Sequence, residues 1–494
     1  MSPHIQATEE CRQAQVDRLS GRPALLDIQG LQIAFQRQRG VWQREWLEPV
    51  RGIDLALRAG ELVALVGASG AGKSLLAHAL LGILPGNAHV RGSMAFDGEP
   101  LTPARLARLR GHDVALVPQA VTFLDPMARA GRQVRWAARA ARRDDSPAAA
   151  DVALQRYGLA PMAGALYPHQ LSGGMARRVL TAMATVAQAR LLIADEPTPG
   201  LDPEVSALAL RHLRGLADGG RGVIVITHDL PAVLPHADRL VILDGGRSIE
   251  TTTPEYFFAG RLQQPFSRAL RDAMPGLGFQ LPTATTDSGS AACVLQAEGL
   301  RHQWPAVEKP LFEGLGLRLN SGEWLALQGP SGCGKTTLAR LLAGQIAPQQ
   351  GRVEVQSVAG AGPAHPVQWV HQHAELAFNP RRRVGDSLRE GWRPDAATLQ
   401  RFGIEPTWLE RHPHELSGGE LQRCNIVRAL VPGLRVLIAD EMTAMHDTIT
   451  QAALWRALRS TLAGREVAVL VISHDQALLD ALGVRRLDSA LRKA

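Results

Sequence analysis

Short unbroken apolar runs alternate along this chain with longer stretches whose apolar positions recur at helical spacing. The run at 62–66 (LVALV) stops at Gly67, and residues 74–84 then place apolar side chains on one helical face. That reads as strand, loop, helix. Residues 324–327 and 336–343 repeat it. The runs at 191–194, 223–226, 436–439 and 467–472 are short and continuous. They suit central strands of a parallel sheet buried on both faces. The pattern predicts an α/β fold.

The pattern also occurs twice. GASGAGKS at 67–74 returns as GPSGCGKT at 329–336, and LSGG at 171–174 returns at 416–419. LLIADE at 191–196 returns as VLIADE at 436–441, and Thr227-His228-Asp229 as Ser473-His474-Asp475. The offsets are 262, 245, 245 and 246 residues, so the second copy is 17 residues shorter between its first two motifs. A period this long marks a duplicated domain and not a solenoid. Residues 275–291, opening PGLGFQLPTATTDSGS, read as a linker by composition. The expected domains are 24–274 and 292–494.

Composition narrows the class. The 494 residues are 45% hydrophobic and 20% charged, as in a globular protein with ample core. The formal charge of +7 comes mostly from arginine, because lysine occurs only at 73, 309, 335 and 493. No long basic run marks a nucleic-acid tail. Four cysteines without a CxxC pair suggest neither a zinc site nor a disulfide framework, and fit a reducing compartment. Residues 1–20 are polar and lack the apolar core of a secretory signal. No stretch of 18 apolar residues occurs. The expectation is a cytosolic chain whose membrane role, if any, comes through a partner.

The chemistry lies in the repeated motifs. G-x-x-x-x-G-K-[ST] between strand and helix is the P-loop, whose glycines let backbone N–H groups curl around phosphates. In the first copy it comprises Gly67, Ser69, Gly70, Gly72, Lys73 and Ser74. In the second it comprises Gly329, Ser331, Gly332, Gly334, Lys335, Thr336 and Thr337. Lys73 and Lys335 would reach the β- and γ-phosphates of ATP, with Ser74 and Thr336 as Mg²⁺ ligands. Asp195 and Asp440 close apolar runs, where a carboxylate is costly unless it serves a cation such as Mg²⁺. Glu196 and Glu441 follow at once and suit a general base for an attacking water. Two solvated acids at a strand end are the alternative, and the place downstream of a P-loop is what points to chemistry. His228 and His474 end further core strands, where open α/β sheets place ligands, and are expected to contact the γ-phosphate.

P-loop, LSGG, apolar-DE and His, in that order, resemble the ABC ATPase family across residues 24–480. The resemblance implies two P-loop NTPase domains. Each would have a RecA-like parallel-sheet core, an antiparallel β subdomain and a helical signature subdomain. It implies head-to-tail pairing of the domains as an intramolecular pseudo-dimer. One ATP would lie between Lys73 and Ser417, Gly418 and Gly419; the other between Lys335 and Ser172, Gly173 and Gly174. Gln119 and Gln372 resemble the Q-loop glutamines that touch Mg²⁺, and Asp202 and Asp447 the D-loop aspartates. Phe35 and Trp304 resemble the aromatic that stacks on adenine, with core packing as the other reading. Both halves keep the hydrolytic set, so two competent sites are expected. Met442 where the first half has Pro197, and Met445-His446-Asp447 against Gly200-Leu201-Asp202, suggest asymmetric coupling.

Residues 167–170 (YPHQ) before LSGGM, 264–270 (QPFSRAL), Phe378-Asn379-Pro380 and LSGGELQR resemble the dipeptide, oligopeptide and nickel importer ATPases. That likeness implies membrane permease partners, a substrate-binding protein, no nucleic acid, and a place at the cytoplasmic face of the inner membrane. The cargo would be a peptide, nickel or a metal-chelate. Tandem ATPases of ribosomes, nucleic acid or sugar import are the alternatives. A long charged linker, zinc modules and degraded second-half motifs would mark these, and none is in the sequence.

Overall fold

The computed structural model describes residues 23–39, 43–68, 70–198, 203–282, 292–304, 310–329, 333–356, 364–444 and 446–487. It divides into two compact units, Met1–Arg271 and Asp272–Ala494.

The first unit supplies β1 (Ala24–Arg39), β2 (Gln43–Arg58), β3 (Leu62–Gly67), β4 (Ala88–Phe96), β5 (Glu99–Pro100), β6 (Val114–Val117), β7 (Leu191–Asp195), β8 (Gly222–Ile226), β9 (Arg239–Asp244) and β10 (Arg247–Thr252). They form one sheet in the order β5-β4-β1-β2-β10-β9-β3-β8-β7-β6. Strands β6, β7, β8, β3 and β9 run parallel. Strands β2, β1, β4 and β5 run antiparallel. Strand β10 joins the two parts, antiparallel to β9 and touching β2 at Gly52. Every residue of β3, β7 and β8 is buried, which is why these strands read as unbroken apolar runs.

The helix after β3 is Lys73–Leu81, not 74–84. Gly82 ends it early by taking a left-handed φ of 62°, and its N–H caps the last turn. Helices Ala130–Ala140, Pro147–Gln155 and Gly173–Val186 enclose a separate apolar cluster that includes Val134, Leu154, Tyr157 and Leu180. This is the helical subdomain, and the LSGG segment opens its third helix.

The second unit supplies β11 (Cys293–His302), β12 (Phe312–Asn320), β13 (Trp324–Leu327), β14 (Gln350–Val355), β15 (Val367–Val370), β16 (Val436–Asp440), β17 (Ala468–Ile472) and β18 (Arg485–Leu487). A three-stranded antiparallel sheet runs β12-β11-β14, and a five-stranded parallel sheet runs β15-β16-β17-β13-β18. With the helices Val384–Arg389, Ala396–Arg401 and Gly418–Ala429 in the second unit, each unit has the parallel core, antiparallel sheet and helical part that the resemblance implies.

The domain border differs from its compositional reading. Residues 275–282 pack onto the second unit, with Phe279 fully buried and Leu281 nearly so. The Leu281 N–H donates to Ala481 O at 2.7 Å, and the Arg459 guanidinium donates to Pro282 O at 3.2 Å. Arg456 lies over the Phe279 ring. Glycine and proline made the stretch look like a free linker, but two apolar side chains found a core to enter. Residues 283–291 lie outside the described residues.

Candidate functional site

Each P-loop hangs between a core strand and a helix. Gly67 ends β3 so close to β9 that a Cβ there would stand 2.1 Å from Leu243 O. Gly72 caps the next helix at φ 89°, and its counterpart Gly334 does so at φ 98°. Side chains at either would strike Val50 or Leu311. The Lys73 ammonium donates to Gly67 O at 2.9 Å and Ala68 O at 2.8 Å, and Lys335 donates to Gly329 O at 2.8 Å. Both lysine heads therefore lie within their loops. A Cβ built at Gly70 would meet nothing within 4 Å. Ser69, Ser331 and Gly332 lie outside the described residues.

Asp195 and Asp440 end β7 and β16, 4% and 8% exposed. Burial pushes the Asp195 carboxyl above the usual carboxylate range, against the hydrogen bond from Ser74. Asp195 Oδ1 is buried with no hydrogen-bond partner among the described residues. Burial raises the Asp440 carboxyl as well, against the pull of Trp369, Lys335 and Thr336. A desolvated carboxylate beside a hydroxyl at a glycine-rich loop is short of positive charge, and Mg²⁺ fits that deficit.

The glutamates follow in an unusual backbone state. Glu196 has φ 51° and Glu441 φ 46°, a left-handed conformation that costs a non-glycine residue on the order of 1 kcal/mol. Their N–H groups still extend the sheet, donating to Ile226 O at 2.8 Å and Ile472 O at 2.9 Å. In the first half, Glu196 Oε1 stands 2.8 Å from His228 Nδ1, and Thr227 Oγ1 donates to Oε2 at 3.4 Å. Burial opposes charge on His228, but the hydrogen bond to Glu196 and its negative charge raise its pKa. In the second half, Glu441 Oε1 accepts from the His474 backbone N–H at 2.9 Å. Burial raises the Glu441 carboxyl to about 7, with the charge of Asp440 adding to it and the His474 N–H opposing.

Two residues past β6 and β15 sit Gln119, exposed, and Gln372, half-buried. Strand β6 lies beside β7 and β15 beside β16, so each glutamine follows a strand adjoining its aspartate's.

The LSGG segments open helices, as a phosphate-facing role requires. Ser172 accepts from the Met175 N–H at 3.2 Å and Ser417 from the Glu420 N–H at 3.3 Å. Glu420 returns the bond to the Ser417 N–H, closing a capping box. Gly173 and Gly418 stand where a Cβ would meet nothing within 4 Å, and Gly174 and Gly419 follow inside the helix. Glycine costs a helix about 1 kcal/mol relative to alanine, and nothing within either unit demands it at these first positions.

Phe35 pairs with Leu47 and Ala88 and packs against the first unit's core. Trp304 is 39% exposed, its ring centroid 4.9 Å from that of His302 in an edge-to-face arrangement. Asp447 caps the helix Thr448–Leu462 by accepting from the Thr450 N–H. Asp202 and Met445 lie outside the described residues. Sequence reading passed over Trp369, which adjoins Asp440 where the first half has Leu116. It treated His446 only as a departure, yet His446 Nε2 bonds Gly419 O at 3.1 Å. An apolar strand gives no sign of an indole beside a carboxylate across the sheet.

A family model described as ABC transporter matches residues 50–199 and 312–444, more than half of the chain. The glutathione import ATP-binding protein of Salmonella paratyphi A is 32% identical, over 95% of this chain and 85% of the relative. Its namesake from Escherichia coli K12 is 31% identical, over 93% and 84%. Among solved structures, an archaeal ribosome recycling factor complex superposes with a TM-score of 0.66 at 22% identity, covering 88% of this chain and 84% of that one. RNase-L Inhibitor superposes with a TM-score of 0.66 at 21% identity, covering 92% and 87%. At these identities the structural likeness is one of fold.

Proposed function

The chain belongs to the ABC transporter family as a tandem ATPase, and we propose that it couples ATP hydrolysis at two sites to uptake of a small peptide through partner permease subunits. One observation carries the reading. Twice in the chain, a buried aspartate short of positive charge and a left-handed glutamate stand beside a phosphate-cradling loop. Lys73, Ser74, Asp195 and Gln119 would hold Mg-ATP in one half, and Lys335, Thr336, Asp440 and Gln372 in the other. Bound Mg-ATP supplies the phosphoanhydride to be cleaved and the charge neutralisation its cleavage needs. Glu196 and Glu441 orient the attacking water and take its proton, and His228 and His474 face the γ-phosphate. Phe35 and Trp304 stack on adenine.

The helix openings at Ser172 and Ser417 complete sites in the opposite half, which explains glycines that their own unit does not require. A binding protein delivers the cargo, and the chain sits peripherally at the cytoplasmic face. Among the described residues no helix is long and apolar enough to cross a membrane. The relatives are named for import of glutathione, itself a small peptide, which favours peptide over nickel or a metal-chelate.

Reconstitution with the permease that co-purifies provides the test. Peptide should stimulate ATP hydrolysis and accumulate, and Glu196→Gln with Glu441→Gln should abolish both. Stimulation by nickel or chelate alone would replace the cargo assignment. Undiminished turnover in the double variant would remove the glutamates from their role.

A further inference from the structure

Five residues into each LSGG helix the two halves carry different side chains in one position, Arg177 and Gln422. Arg177 spreads its guanidinium over two carbonyls. Nη1 donates to Glu196 O at 3.2 Å and Nη2 to Gln119 O at 3.3 Å. Gln422 is 1% exposed and does the equivalent with one amide nitrogen. Its Nε2 donates to His371 O at 2.7 Å and Met442 O at 3.1 Å. His371 precedes Gln372, and Met442 follows Glu441. The longer arginine thus grips the backbone of the two functional residues themselves, and the shorter glutamine grips the residue beside each.

A helix held to two loops through one side chain makes those loops move with it. We propose that Arg177 and Gln422 are positioning residues that lock each LSGG helix to the glutamine-bearing and glutamate-bearing loops of its own half, so that a shift at one is transmitted to the others. This rests on the site assignment above. The bridge needs two N–H donors aimed at two carbonyls. A planar guanidinium or a carboxamide supplies them, whereas a lysine ammonium is a point charge without that fixed geometry.

The test uses the full chain with both positions changed together. Arg177→Ala with Gln422→Ala should lower kcat for ATP at least tenfold while KM moves less than threefold, as expected when positioning and not binding is lost. Arg177→Gln, leaving glutamine in both halves, should keep kcat within about twofold. Arg177→Lys with Gln422→Lys should resemble the alanine pair. A second readout needs no turnover. In the nucleotide-free chain, amide exchange at 117–121 and 196–198 should quicken in the alanine and lysine pairs and return to normal in Arg177→Gln. Rescue by lysine and not by glutamine would overturn the inference in favour of a charge effect. Unchanged kcat and exchange in the alanine pair would overturn it outright. If the alanine pair does not fold, the contrast between glutamine and lysine still decides. Failure of the site assignment shows separately, as turnover surviving Glu196→Gln with Glu441→Gln.

Discussion

In the first half the glutamate is held by the histidine side chain; in the second it is held by the histidine backbone. Glu196 meets His228 Nδ1 and the Thr227 hydroxyl, whereas Glu441 meets the His474 N–H. The motifs are almost the same, and both glutamates share the left-handed turn. One difference lies in the residue before each histidine. The Thr227 hydroxyl serves both Asp229 N–H and Glu196, while the Ser473 hydroxyl is seen serving Asp475 N–H. A β-branched threonine is stiff at χ1, and a serine is freer to turn. Matching motifs therefore specify matching chemistry but not the hydrogen-bond state in which that chemistry waits.

The widest test of the comparison changes both glutamates. Glu196→Gln with Glu441→Gln should reduce phosphate release about a thousandfold, within the range expected for loss of general base catalysis. Either single variant left at full rate would show one site idle. Next in size is the packing asymmetry. Phe279→Ala should destabilise the second half by about 3 kcal/mol by opening a cavity in its core. In calorimetry the transition of the second half should fall while that of the first stays in place.

Acid should also separate the halves. His446 is 5% exposed, and burial holds its pKa down at about 4. Arg423 on the adjoining LSGG helix lowers it further, while the Gly419 carbonyl and the charge of Asp447 oppose. The unfolded imidazole takes a proton near 6.5, so the folded state gains full stability above that pH and loses it as pH falls toward 4. The loss amounts to about 3 kcal/mol across that window. Denaturant midpoints for the second half at pH 7 and pH 5 should show about 2 kcal/mol of it, and His446→Gln should remove it. The smallest effect concerns the histidine side chains. His228→Ala should slow turnover about fivefold, because its ring bonds Glu196 at 2.8 Å. Unchanged turnover would show that this bond does no work in hydrolysis.

Much of this was legible in the chain because the machinery is contiguous. A P-loop is eight residues between a strand and a helix, so one line of sequence contains its geometry. The buried strands read correctly because covering both faces leaves no room for polar positions. What escaped was long-range or conformational. Arg177 reaches Gln119 across 58 positions, and Gln422 reaches His371 across 51. The left-handed glutamates carry no compositional mark, since such a backbone is expected of glycine or asparagine. Phe279 and Leu281 sat in a stretch whose glycines and prolines outvoted them.

That stretch has a consequence for how the chain is made. Phe279 is synthesised about 170 residues before the helix Thr448–Leu462 whose Arg456 covers its ring. At translation speeds of roughly 5–20 residues per second, that helix emerges about 10–30 seconds later. Until then the first half is complete, and an apolar tail hangs from it. A binding chaperone, or the unfilled Phe279 pocket of another chain still folding, would find that tail before its own pocket exists. Each newborn chain passes through an interval in which swapping tails with a neighbour competes with folding alone.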